Sequence, residues 1–140
     1  MASTTFSGPV TSTNGFVGDV TGNVTGNVPG TVTGNQTIPT TTKAAAGANQ
    51  GAATEVALGF NLVTGADGAK GVKLPTAVAG QIIIIKNNTS AQNLLVYPGT
   101  SDKINGGTAT TGTLTMAGLT AAMFIAYDAT DWYSLPLLPS

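Results

Sequence analysis

Residues 81–87 read Gln81-Ile82-Ile83-Ile84-Ile85-Lys86-Asn87. The run is β-branched and short, with Gly80 before it and Asn88 after it. It is too short for a buried helix and far short of the ~20 apolar residues a membrane helix needs. A strand with one wet face alternates apolar and polar residues; four isoleucines in a row do not. The run therefore predicts a strand covered on both faces, one by the core and the other by a subunit interface.

Further candidate strands lie on either side: Glu55–Val63, Gly71–Leu74, Asn93–Tyr97, Thr113–Met116, Ala121–Asp128 and Trp132–Leu135. Turn signals separate them at Asp67-Gly68, Asn87-Asn88, Pro98-Gly99, Asn105-Gly106 and Ala117-Gly118. Short strands at this spacing predict an all-β domain over 54–140, of the antiparallel β-sandwich or jelly-roll kind.

Residues 36–53 are dominated by Thr, Ala and Gly without apolar period, and read as a linker. Residues 1–35 read as an arm. Within it, Phe16, Val20, Val24, Val28 and Val32 recur every fourth residue, with Gly18, Gly22, Gly26, Gly30 and Gly34 two positions later. A period of four is not collagen's three, and Gly with Val disfavours helix. The segment is either extended, or short β pieces joined by tight turns; Pro29-Gly30 favours turns. One large apolar side chain per four residues does not offset the backbone entropy of ordering them. The arm is thus expected to order only against partner chains. Phe16, Val20, Val24, Val28 and Val32, with close approach at Gly22, Gly26 and Gly30, form its oligomer or capsid interface.

The chemistry is sparse. Only 8% of residues are charged, five lysines against six carboxylates, with no histidine and no cysteine. Ser-His, Cys-His, imidazole-metal and thiolate-metal arrangements are thereby excluded, and no catalytic residue, metal or cofactor is expected. Without a cationic surplus, no nucleic-acid partner is expected either. No membrane partner is expected. Met1–Val10 has neither the basic nor the apolar part of a signal peptide, which predicts synthesis in a cytoplasm. Asp128 and Asp131 suggest a cation site less well than a turn between strands. The Gly65–Gly71 loop lacks the spacing of a phosphate-binding loop. Phe124, Tyr127, Trp132 and Tyr133 are expected in the core or an interface, as are Ile82, Ile83, Ile84 and Ile85; stacking of the aromatics on a sugar is the alternative. The apolar Leu135–Leu138 is expected to dock on a neighbour.

Two stretches resemble tailed-bacteriophage virion structural proteins. Residues 4–27, TTFSGPVTSTNGFVGDVTGNVTGN, are similar to the start of small head proteins and short head fibres. From GVKLPTAVAGQIIIIKNNTSAQNLLVYPGTSDKING to ATDWYSL, the chain resembles a β domain that recurs in phage structural and fibre proteins. The resemblance implies no catalytic residues, a virion location on the capsid surface, and a homotrimer. On this reading the chain is a capsid decoration (cement) protein that binds the major capsid protein and stabilises the shell. The alternative is a short fibre or spike that binds a host-surface glycan.

Overall fold

The computed structural model describes residues 37–136, and the contacts divide the chain after Asn35. The repeat arm with its proposed interface residues, and Leu137-Leu138, lie outside the described residues. The described strands are β1 (Thr40–Ala44), β2 (Thr54–Glu55), β3 (Gly59–Thr64), β4 (Gly71–Lys73), β5 (Ile82–Asn87), β6 (Leu94–Tyr97), β7 (Lys103–Ile104), β8 (Leu114–Met116), β9 (Ala121–Ala126) and β10 (Asp131–Leu135).

The fold is all-β, but it is a β-solenoid of about four turns and not the expected sandwich or jelly roll. Three successive coils, β1–β2, β3–β4 and β5–β6, each place one strand in a six-stranded sheet and one in a four-stranded sheet. Equivalent strands stack in parallel, Thr40 beside Phe60 and Phe60 beside Ile84. A strand's neighbour in space is therefore a full coil away in sequence, not the next strand along. The misreading has a simple cause. Short strands punctuated by Gly, Pro and Asn arise equally when each turn is a hairpin and when each turn is the corner of a coil.

Only the last part is antiparallel. β8 runs against β6 and β9 against β5, so the fourth coil winds back across both sheets. β10 then folds onto β9, and β7 pairs with β10 at the far edge.

Residues 36–53 are not a linker; they hold most of the first coil. β1 pairs along its length with β3, Ala46 bridges Gly71, and Ala45 and Ala53 are buried. Main-chain bonds such as Phe60 N to Pro39 O (2.8 Å) and Ala45 N to Thr64 O (2.8 Å) hold this coil, so it needs no apolar periodicity of its own.

The expected strand Glu55–Val63 is two strands in different sheets, separated by a corner at Ala57-Leu58. Asn61 sets the corner from inside: its Oδ1 accepts from Ala57 N (2.9 Å) and its Nδ2 donates to Ala57 O (2.8 Å). Gly59 there has φ +90°, and any Cβ would collide with the Pro39 carbonyl oxygen. Asn87 does the same work one coil on, donating to the carbonyls of Gln92 (2.9 Å) and Met116 (3.2 Å) and accepting from Thr89 N (3.1 Å). Both asparagines are wholly buried and fully engaged, as buried amides must be. The core between the sheets takes Val63, Ile83, Ile85, Phe124 and Trp132 from one side, and Val72, Leu74, Leu94, Val96 and Met116 from the other.

Candidate functional site

The polar groups singled out in the sequence turn out to organise turns. Asp128 Oδ1 accepts from Thr130 N and Asp131 N (both 2.8 Å), and these amides lower its pKa. Asp131 lies 3.6 Å from the Lys103 ammonium. Asp67 caps its own turn through Ala69 N and Lys70 N, and pairs with the Lys70 ammonium at 2.9 Å. That ammonium, with the two amides, holds the Asp67 carboxyl at about 2. Lys70 is thus engaged by a carboxylate within its own loop. Among the described residues, no three acidic, imidazole or thiol side chains gather as a metal would require. A cleft of about 300 Å³ beside Ile104, Thr108, Thr111 and Leu114 has no charged lining group.

The feature that sets this molecule apart is the outer face of the six-stranded sheet. Alternate residues of each strand point into the core: Val63, Ile83, Ile85, Phe124 and Trp132 are buried. The residues between them point out and are mostly apolar too. The register lines them up across the strands. One ladder runs Thr40, Phe60, Ile84, Met123, Leu135, and the next runs Ile82, Ile125, Tyr133. Ile38 and Leu58, about half exposed, precede β1 and β3 at the Ile82 end of the face. Ile82 is 50% exposed, Tyr133 48% and Leu135 57%. Tyr127, 73% exposed, meets the Tyr133 ring edge-on with centroids 6.2 Å apart.

Charge on this face is confined to its two flanks. At one, Lys86 follows Leu62 in the register and donates to the Leu119 carbonyl. At the other, Asp131 and Lys103 pair beside the Asp128 turn. Isolated exposed apolar residues need no explanation, but a contiguous apolar face crossing four strands does.

The isoleucine run divides between the two faces of the sheet. Ile83 and Ile85 are wholly buried, Ile82 is half exposed and Ile84 half buried on the outer face. The four C-terminal aromatics separate: Phe124 and Trp132 are core, Tyr127 and Tyr133 are on the surface. The Trp132 ring nitrogen is buried without a hydrogen-bond partner among the described residues. Phe60, Leu62, Met123 and Ile125 were missed as face residues. Only the coil-to-coil register brings them beside the isoleucines. In sequence they lie in two separate strands, and nothing local sets those strands on either side of the isoleucines. Comparison of the chain with family models, with curated proteins and with solved structures gives no match.

Proposed function

We propose that this chain is a structural protein of a tailed-phage virion, which assembles as a homotrimer and decorates the head shell by binding the major capsid protein. The observation that carries this reading is the apolar outer face of the six-stranded sheet, free of charge along its middle. A face of this kind suits permanent burial against protein. The virion and the capsid partner come from the resemblance in residues 4–27 and from residue 71 onward.

A decorating protein binds the assembled shell and so stabilises it by mass action. Adding the purified chain to undecorated shells should raise their melting temperature, and gels of purified virions should show hundreds of copies. No thermal shift at saturating protein, with only a handful of copies per virion, would favour the second reading, a short fibre or spike that binds a surface glycan. The exposed Tyr127–Tyr133 pair supports that alternative, since tyrosine faces stack on sugar rings.

A further inference from the structure

We infer that the outer face of the six-stranded sheet is the contact between copies of this chain, and that the copies pack side by side about an axis parallel to the ladders. The inference rests on the reading of the chain as a self-assembling structural protein, and adds the surface and the orientation.

Two features of the face select a second copy as its occupant. The first is its corrugation. The first ladder crosses β1, β3, β5, β9 and β10 and the second crosses β5, β9 and β10, one side chain per strand, about 4.8 Å apart. The same face on a second copy has the same spacing and interdigitates along the whole line. The second is charge. Lys86 marks one flank with a cation. The opposite flank holds Asp128, Asp131 and Lys103, two carboxylates against one ammonium.

Orientation follows from those flanks. Rotating a second copy by a third of a turn about an axis that lies along the ladders brings its acidic flank alongside the Lys86 flank of the first, and round a trimer each Lys86 flank meets the next copy's acidic flank. Rotating it about an axis along the strands sets Lys86 over Lys86. Like charges facing across a closing interface are costly, so the first arrangement wins. The half-exposed Tyr133, at the end of the second ladder and in contact with Tyr127, is the anchor type enriched at such contacts.

The test uses the full chain. Native mass spectrometry across a dilution series should show an oligomer. Tyr133→Lys and Ile82→Lys should each raise its dissociation constant at least about tenfold, whereas Thr115→Lys, on the other sheet, should leave it unchanged. Because the chain has no cysteine, single cysteines report orientation. Phe60→Cys and Met123→Cys should each form a disulfide with its own kind when oxidised alone. Disulfides that form only when the two variants are mixed would place the axis along the strands and overturn the inference. So would a wild-type monomer at micromolar concentration, or an oligomer indifferent to the two lysine variants. A monomer that binds a soluble oligosaccharide and loses it in Tyr133→Lys would assign the face to sugar instead, and so overturn it too. Failure is separable from that of the function. A chain bound to virions whose face variants still assemble refutes the interface alone. A chain that assembles through this face but is absent from virions refutes the virion role alone.

Discussion

Asn61 illustrates how much one side chain does in a coil. Its amide replaces water for both main-chain groups of Ala57 at a corner where no strand partner is available. In the sequence it sits inside an apolar stretch, where an asparagine reads as an interruption. Inside the fold it is the reason the chain turns from one sheet into the other. Asn61→Ala would leave these buried groups unpaired, at a cost of about 1–3 kcal/mol each when water cannot reach them. The expected outcome is a loss of about 2–4 kcal/mol, read as a lower urea midpoint at unchanged slope. A variant as stable as the parent would show that water reaches the corner.

At the scale of elements, the first coil is where the sequence and the structure part furthest. A strand of Thr, Lys and Ala carries no apolar signal, and β1 is held by its ladder with β3. β2 in turn pairs with β4 at the edge of the smaller sheet. Removing residues 1–52 would therefore strip β1, bare the full parallel edge of β3 and uncover Phe60 and Leu62. An unpaired apolar edge is a template for aggregation. A chain beginning at Gln36 should be soluble and β-rich by circular dichroism, and one beginning at Ala53 should precipitate or melt markedly lower. Equal behaviour of the two would mean that the first coil adds nothing to the rest.

For the whole molecule, pH dependence follows from which groups titrate. The chain has neither histidine nor cysteine, so its side chains lack groups with ordinary pKa values between about 5 and 8. Asp67 and Asp128 have folded pKa values below the unfolded value of about 3.9. The folded state then binds fewer protons than the unfolded state, and stability falls as pH drops from about 4 toward 2. Burial raises the Tyr97 phenol, so its contribution is present below the unfolded pKa near 10 and is lost as pH rises through the folded value. The melting temperature should be level from pH 5 to 8 and decline below about 4, and Asp67→Asn should flatten part of that decline. A transition near pH 6.5 would contradict this account.

The sequence by itself determined that the chain is β-structured and short of charge, and that the strand at Ile82–Ile85 is apolar on both its faces. These properties are local: branching, alternation and the absence of ionisable side chains can be read one strand at a time. The tertiary structure decided which strands are neighbours. Hairpin and coil put the same turn residues between the same short strands, so local pattern does not distinguish β3 paired with β5 from β3 paired with β4. That choice rests on parallel ladders between residues twenty or more apart and on corner bonds such as those of Asn61. It also decided the outer face, because Phe60, Ile84, Met123 and Leu135 become one surface only when the coils stack.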